Sequence, residues 1–412
     1  MTRQSLEVAD VLRAFGPEFE ANFGHTLSPV RRQAMNAIIK CRTAALGGHV
    51  EACDGCGHCR VAYNSCRNRN CPKCQAAARA AWLDRQAKDL LPVEYFHVVF
   101  TLPNAIGPVA LQNPRLVYGA LFRAVAESLI ELAADPRRLG AEIGFLAVLH
   151  TWGQTLTLHP HIHCVVPGGG LTPDRQRWVS CRPGFFLPIK PLSRLFRGKF
   201  LAILADLYAH EQLTLAGNLQ DLAEQEQFVR WIGELRETEW VVYAKPPFGG
   251  PEQVLKYLAR YTHRVAISNR RLESMDDEKV SFRWKDYADR NASKVMTIDG
   301  VEFVRRFLQH VLPTGFVRIR HFGFLANRSR DEKLTQCRAL LGAQSVQSIE
   351  SRDEQPIEAT STKRAVDGDE GVELKSPRCC PVCRVGRMIV VETVPRPIMP
   401  GPICSTAPTD TS

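Results

Sequence analysis

Three histidines alternate with other residues inside the apolar run Leu158-His159-Pro160-His161-Ile162-His163-Cys164-Val165-Val166. Successive side chains of a β-strand point to opposite faces, so His161 and His163 would share one face. Pro160 cannot donate to a sheet ladder, which puts His159 at the entry of the strand. Two neutral imidazoles on a rigid strand are a good platform for a divalent cation. We therefore predict a metal site on His161 and His163.

Strands and helices are mixed around this stretch. The segments 143–151 and 155–166 follow each other closely, which favours an antiparallel pair, and Pro167-Gly168-Gly169-Gly170 ends the second. Residue patterns predict further strands at 95–102 and 240–244 and helices at 75–91, 116–134, 191–213, 219–237 and 252–262. The predicted fold class is α+β, with an antiparallel sheet and flanking helices.

A dense group of cysteines precedes the sheet. Cys53-x2-Cys56 and Cys71-x2-Cys74 have the layout of a four-thiolate zinc site, because each short turn brings two sulfurs to one side of an ion. Four thiolates leave no open position, so the zinc would be structural. His58, Cys59 and Cys66 lie nearby and could replace or supplement these ligands. Near the other end of the chain, Cys380-Pro381-Val382-Cys383 resembles half of a zinc knuckle.

The charge of the chain suits a polyanionic partner. The formal net charge is +10 and the pI is about 9.0. Residues 346–378 are acidic, so the rest of the chain is more basic still. An excess of cations favours nucleic acid, although charge alone does not distinguish a nucleic-acid-binding protein from other basic proteins.

Several classes of protein are disfavoured. No apolar stretch is long enough for a membrane span, and the first residues lack the pattern of a secretory signal, so we expect a cytoplasmic, nucleoid-associated protein of bacterial type with no membrane partner. The histidine stretch lacks the HExxH motif of zinc proteases and the His-x-Glu and Pro-Cys-x-x-Cys order of nucleotide deaminases. Phosphodiester chemistry fits better.

A helix with paired tyrosines supplies a candidate nucleophile. The segment 252–262 has good helix formers and places Tyr257 and Tyr261 four residues apart, on one face. A phenol with a pKa near 10 needs a metal ion and nearby cations to attack a phosphate, and Arg260 and Arg264 could supply the cations. Taken alone, two tyrosines at this spacing are more often a packing stripe.

These motifs, in this order, resemble the zinc-finger-bearing transposases of the insertion-sequence-ninety-one family, members of the HUH nuclease superfamily. The likeness spans about residues 25–345. It rests on the cysteine pairs, the histidine stretch, and the following segments: Ser65-Cys66-Arg67-Asn68-Arg69-Asn70-Cys71, Phe100-Thr101-Leu102-Pro103, His150-Thr151-Trp152-Gly153-Gln154, and Tyr257-Leu258-Ala259-Arg260-Tyr261. Relatives are expected to have histidine at the position of Asn70, so this departure favours an all-cysteine zinc site here.

The resemblance implies a rolling-circle transposase. His161 and His163 would hold magnesium or manganese, and Tyr257 or Tyr261 would attack single-stranded DNA at transposon ends, leaving a 5′-phosphotyrosine and a free 3′-OH that can later rejoin to target DNA. A third metal ligand is usual in the superfamily, and the candidates by location are His150, Gln154 and Gln253.

The chain is predicted to divide into five parts. These are a helical lead at 1–45, a zinc-binding module at 46–91, an HUH nuclease and strand-transfer domain at 92–275, a basic DNA-binding extension at 276–345, and a flexible tail at 346–412 with the half knuckle. In the extension, Arg318 and Arg320 lie among aromatic residues, which suits stacking and phosphate binding on single-stranded DNA. A buried strand flanked by surface charge explains the same pattern equally well.

Two other functions remain open at this point. A zinc-dependent DNA-binding regulator would need the zinc module and the basic surface but not the combination of paired histidines and paired tyrosines. A replication-initiation nuclease or plasmid relaxase would share the chemistry, whereas the cysteine module favours transposition.

Overall fold

The computed structural model describes residues 6–25, 27–248, 253–254, 265–350 and 379–397. Its α-helices are α1 (Val8–Phe23), α2 (Pro29–Lys40), α3 (Pro72–Ala87), α4 (Gly107–Gln112), α5 (Pro114–Ala134), α6 (Ile189–Ala209), α7 (Gln225–Glu237), α8 (Gly300–Leu308) and α9 (Arg330–Glu350). Its strands are β1 (Gly48–Cys53), β2 (Cys59–Tyr63), β3 (Tyr95–Thr101), β4 (Gly144–Trp152), β5 (Leu158–Pro167), β6 (Gly169–Leu171), β7 (Trp178–Ser180), β8 (Val242–Phe248), β9 (Leu272–Met275), β10 (Lys279–Asp286), β11 (Ala292–Asp299), β12 (Ile319–Gly323) and β13 (Met388–Val394).

The main sheet has five strands in the order β12-β4-β5-β3-β8, and neighbouring strands are antiparallel. The α+β fold with an antiparallel sheet is therefore confirmed. The histidine-bearing strand β5 lies in the middle, because its apolar alternate residues can be buried on a covered face. A central strand has both edges paired, which holds its side chains in fixed positions.

The two faces of this sheet differ in chemistry. Ile162, Cys164 and Val166 of β5 belong to the largest buried cluster, together with residues of α5, α6 and α7. His161 and His163 alternate with these residues and therefore lie on the other face. That face, which we call the histidine face, also carries Val165, which is buried with residues of β3, β4 and α3.

A second hydrophobic core joins the predicted helical lead to the predicted basic extension. Helices α1 and α2 share one buried cluster with β9, β10 and α8. Helix α8 approaches α1 so closely that a Cβ added at Gly300 would lie 2.4 Å from ring carbons of Phe15. The helical lead and the later extension thus form one packed unit, which differs from their predicted separation.

The predicted basic extension is divided between two structural units. Its strand β12 pairs with β4 at the edge of the main sheet, Ile319 lying opposite Val148. Its earlier strands β9–β11 form a separate three-stranded sheet. The pairing of β12 with β4 could not be predicted from local sequence patterns, because the two strands are far apart in the chain.

The C-terminal segment 379–397 also differs from the predicted tail. Strand β13 pairs with β1, which in turn pairs with β2, to form a three-stranded antiparallel sheet. This segment therefore belongs to the cysteine module. Among the helices in the described ranges, none combines the length and the apolar character that crossing a membrane requires.

Candidate active site and metal centres

Three histidines meet on the histidine face. His150 of β4 lies directly opposite His161 of β5, and His163 follows two residues later on the same face. One ring nitrogen from each lies within 4.8 Å of the other two. This spacing allows three imidazoles to bind one cation. The expected orientation of His161 and His163 toward one side is thus observed, and His150 joins them.

Hydrogen bonds fix how two of these rings are turned. The Nδ1 atom of His161 lies 2.6 Å from the carbonyl oxygen of His159, which can only accept, so Nδ1 carries the proton and donates. A cation held by His161 would therefore be bound through Nε2. A backbone partner of this kind sets the tautomer of a ligating histidine.

A fourth histidine, which the sequence analysis did not single out, lies behind His163. His97 of β3 is 1% exposed, and its Nε2 atom is 2.8 Å from Nδ1 of His163. Burial, together with the charges of Lys245 and His161, lowers the pKa of His97 to about 3. His97 is therefore neutral, and its ring shares one hydrogen bond with Nδ1 of His163. The alternation of residues 95–101 was the signal that could have revealed it.

The structure distinguishes His150 from Gln154, two of the candidates for the third metal ligand. His150 lies in the cluster and stacks on Trp152 with ring centroids 4.6 Å apart. Gln154 instead donates from Nε2 to the hydroxyl of Tyr287 at 2.7 Å. Gln253 directly precedes Val254, which is buried together with Val148 and Val165. His150 is the candidate that the geometry favours.

Tyr257, Tyr261, Arg260 and Arg264 lie outside the described residues. Val254, shortly before them, is fully buried in the cluster that contains Val148 and Val165.

The two later arginines are engaged within the fold. The guanidinium of Arg320 lies 4.1 Å from the ring centroid of Phe122 and 5.2 Å from that of Phe316. Burial, with the charge of Arg69 adding to it, lowers the pKa of Arg318 to about 10. The pattern of alternating cations and aromatics around 315–324 thus corresponds to a partly buried strand, the second of the two interpretations of that stretch.

Arg69 in the cysteine module is also an internal contact. Its guanidinium donates to the carbonyl oxygens of Phe316, Leu312 and Pro313 at 2.6, 2.9 and 2.8 Å. These bonds join the cysteine module to the loop before β12.

One cysteine cluster lies where α3 begins. Cys41, Cys66, Cys71 and Cys74 have sulfurs within 4.8 Å of one another. The Sγ atom of Cys74 is 3.5 Å from that of Cys41 and 3.6 Å from that of Cys66. The hydrogen bond with Cys71 is the main reason that the pKa of Cys66 is lowered to about 5, whereas burial raises that of Cys41 to about 11. An anionic thiolate is accordingly stabilised within this group.

A second cysteine cluster lies at the opposite end of the module. Cys53, Cys56, Cys380 and Cys383 also have sulfurs within 4.8 Å of one another. The prediction of one quartet from Cys53, Cys56, Cys71 and Cys74 is therefore wrong in its grouping. Cys53 and Cys56 lie at the turn between β1 and β2, whereas Cys71 and Cys74 lie beyond the other end of this hairpin. The two cysteine pairs therefore belong to different clusters, and each has its partners elsewhere in the chain.

Four cysteines outside the two predicted pairs complete the clusters, and the sequence indicates some of them more clearly than others. The sequence indicates Cys66 as an additional ligand and Cys380-x2-Cys383 as half of a knuckle, and all three cysteines belong to clusters. Cys41 was missed because it stands alone at the end of α2 with no second cysteine at short spacing. Both clusters consist of cysteines only, as the departure at Asn70 favoured.

Comparisons with known proteins agree with this arrangement. A family model for a transposase zinc-binding domain (Zn_Tnp_IS91) matches residues 11–102, and one described as "Putative transposase" (Y2_Tnp) matches residues 144–333. The chain is 56% identical over 393 residues to "Putative transposase y4qJ" of Sinorhizobium fredii (strain NBRC 101917 / NGR234), which covers 95% of this chain and 96% of that protein.

Two further similarities are more distant. The transposase for insertion sequence element IS801 of Pseudomonas savastanoi pv. phaseolicola is 29% identical over 308 residues, covering 73% of this chain and 72% of that protein. A solved structure of the conjugative relaxase TRWC in complex with ORIT DNA is 14% identical and covers 41% of this chain and 71% of that chain, with a TM-score of 0.21. From the near full-length relative and the matched zinc-binding domain, we conclude that the chain belongs to the IS91 family of zinc-binding transposases.

Proposed function

We propose that this transposase moves DNA by a rolling-circle reaction in which it cuts and rejoins single-stranded DNA at transposon ends through a covalent phosphotyrosine. The observation that carries the proposal is the group of three imidazoles, His150, His161 and His163, whose ring nitrogens lie within 4.8 Å of one another on one face of the central sheet. A DNA-binding module has no need of such a group.

The three histidines would hold one divalent cation and position it beside the DNA. Bound there, the ion would polarise the scissile phosphate and lower the barrier to attack by a phenol oxygen. The three imidazoles are nitrogen donors, which suit transition-metal ions better than magnesium. We therefore expect manganese to support the reaction at lower concentration than magnesium.

The nucleophile would be Tyr257 or Tyr261. The phenol oxygen forms a bond to phosphorus and loses its proton, and the bond from phosphorus to the 3′ oxygen breaks. That oxygen takes up a proton to become a free 3′-OH. The 5′-phosphotyrosine keeps the energy of the broken bond, so attack by another 3′-OH can join strands and release the tyrosine.

The position of Val254 supports this choice of nucleophile. Val254 is buried together with Val148 and Val165, two residues of the histidine face. The sequence predicts a helix through 252–262, in which residues three and seven positions after Val254 would lie on the same side as Val254. Those residues are Tyr257 and Tyr261.

The edge of the sheet offers contacts for the DNA strand. Val99 of β3 lies opposite His163 of β5 and also opposite Tyr243 of β8, so the Tyr243 side chain belongs to the histidine face. Its ring is 52% exposed. Lys245, two residues along β8, is exposed on the same face opposite His97. An exposed aromatic ring beside a cation suits base stacking and phosphate contact with single-stranded DNA.

The proposal is tested with purified protein and single-stranded DNA from a transposon end, in manganese or magnesium. We expect a protein–DNA adduct that survives denaturant and disappears in His161→Ala and His163→Ala. His321→Ala, which removes a histidine from edge strand β12, is the matched control and should keep the adduct. Tight DNA binding without an adduct in any of these metals would instead favour the zinc-dependent DNA-binding regulator.

A further inference from the structure

The second cysteine cluster joins distant parts of the chain. Cys56 is 3.7 Å from Cys380 between sulfurs, across 324 residues of sequence, and Cys53 is 3.6 Å from Cys383, across 330 residues. Two of the four sulfurs lie beyond residues 11–102, the range that matches the transposase zinc-binding domain.

The two cysteine turns have the same backbone form. The amide of Gly57 donates to the carbonyl of Cys53 at 3.0 Å, and the amide of Arg384 donates to the carbonyl of Cys380 at 3.0 Å. Gly57 and Arg384 occupy equivalent positions and both have positive φ, +71° and +59°. A non-glycine residue with positive φ is uncommon, so Arg384 indicates that the second turn is held in this form by its surroundings.

Backbone amides are directed at the sulfurs. Gly55 donates to Sγ of Cys53 at 3.4 Å, and Gly386 donates to Sγ of Cys383 at 3.3 Å. Such bonds favour the anionic thiolate, which is the form that binds a metal ion. Space is also reserved around the sulfurs, because a Cβ added at Gly386 would lie 2.4 Å from Sγ of Cys53.

The two turns are also linked directly. The amide of Asp54 donates to the carbonyl of Arg387 at 3.1 Å, and the amide of Arg387 donates to Oδ1 of Asp54 at 2.7 Å. The ladder of β1 with β13 continues from this point. The C-terminal segment thus reaches the module in a defined register.

Apolar burial at this junction is slight. Its buried cluster consists of Cys53, Cys380 and Met388, with Cys383 packed against it. Along β13, Ile389, Val390 and Val391 are exposed. A three-stranded sheet with so small a buried core is marginal without a crosslink or a metal ion.

We propose that Cys53, Cys56, Cys380 and Cys383 bind a structural zinc ion that fastens the C-terminal segment 379–397 to the N-terminal zinc-binding domain. Four thiolates in two short turns are the ligand set that zinc takes in closed structural sites. Together with the cluster of Cys41, Cys66, Cys71 and Cys74, the site gives each chain two structural zinc ions. This inference is independent of the proposed DNA chemistry.

Zinc content tests the proposal. Full-length protein, purified with a reducing agent, is compared with the double variant Cys380→Ser/Cys383→Ser by elemental analysis. We expect the variant to hold one zinc ion fewer per chain. Cys379→Ser is the matched control, because Cys379 is adjacent yet lies outside the cluster and its thiol contacts backbone carbonyls. An unchanged zinc content in the double variant, or an equal loss in the control, would overturn the proposal.

A second measurement keeps the test independent of how well the variant folds. A protease site is inserted between residues 351 and 378 of the otherwise unchanged chain, and the protein is cut in its zinc-loaded state. The C-terminal fragment should co-elute with the rest of the chain and separate when a chelator removes zinc under reducing conditions. Separation before chelation, or co-elution after complete removal of zinc, would contradict a zinc clamp.

Discussion

Nε2 of His97 lies 2.8 Å from Nδ1 of His163, across the neighbouring strands β3 and β5. The contact is buried on the histidine face, and His163 also belongs to the group formed with His150 and His161. His97 is thus a positioning residue, because it contacts a proposed ligand of the cation and not the cation itself. Partners of this kind orient a ligating histidine and raise its basicity, so they influence metal affinity without touching the ion.

Removing this support should weaken metal binding without removing a ligand. We expect His97→Ala to raise the manganese concentration needed for half-maximal cleavage by about 10- to 100-fold. His97→Gln offers a side-chain oxygen that can accept from His163 and should recover part of the loss. Metal titrations of single-turnover cleavage measure the effect. An unchanged titration in His97→Ala would show that the contact does not position His163.

Tyr243 should bind the DNA strand by stacking. Losing one base–aromatic stack costs about 1–3 kcal/mol, so Tyr243→Ala should bind single-stranded DNA about 5- to 160-fold more weakly. Tyr243→Phe keeps the ring and should bind as the parent does. Tyr63→Ala removes another partly exposed ring, on β2 of the cysteine module, and serves as the control. Equal loss in the Phe and Ala variants would exclude stacking as the reason.

Arg69 should matter for stability more than for DNA binding. Its three carbonyl acceptors lie in the segment 312–316, and a hydrogen bond to a charged group contributes about 1.5–3 kcal/mol. Lysine cannot reproduce the planar donor geometry, so Arg69→Lys should lower the thermal midpoint by several degrees. Arg60→Lys alters a partly exposed pair with Glu51 and should change the midpoint little. A reversed order of the two midpoints would contradict this role.

The sequence was most informative where a pattern is local. The alternation around His161 and His163 predicts a strand and its two faces, and β5 has both. Close spacing likewise reveals each cysteine pair. These features depend on neighbouring residues, whose relative placement the backbone period fixes.

Long-range partners were less accessible. Cys41 gives no spacing signal, and Cys380 with Cys383 shows half a site whose other half lies more than three hundred residues earlier. The pairing of β12 with β4 is similarly invisible to local patterns. Arg320 shows a further limit, because a cation among aromatics has the same pattern whether the rings receive DNA bases or, as here, the arginine itself.

The paired tyrosines should each be needed for complete transposition. If two linked cleavages use one tyrosine each, Tyr257→Phe and Tyr261→Phe should each abolish transposition, because a ring without its hydroxyl cannot form the ester bond. Folding and zinc content should stay unchanged, since Phe keeps the ring and neither position belongs to a cysteine cluster. A mating-out or plasmid-excision assay provides the measurement. Full transposition by both variants would refute the assignment of two nucleophiles.

The most direct test of the central claim is to identify the amino acid that carries the DNA. The adduct formed on single-stranded transposon-end DNA in manganese is digested with protease and nuclease, and the modified peptide is sequenced by mass spectrometry. We expect a 5′-nucleotide phosphate on Tyr257 or Tyr261, and we expect it to be lost when His161 and His163 are both replaced by alanine. A modified peptide from any other part of the chain, or an adduct that persists without the two histidines, would contradict it.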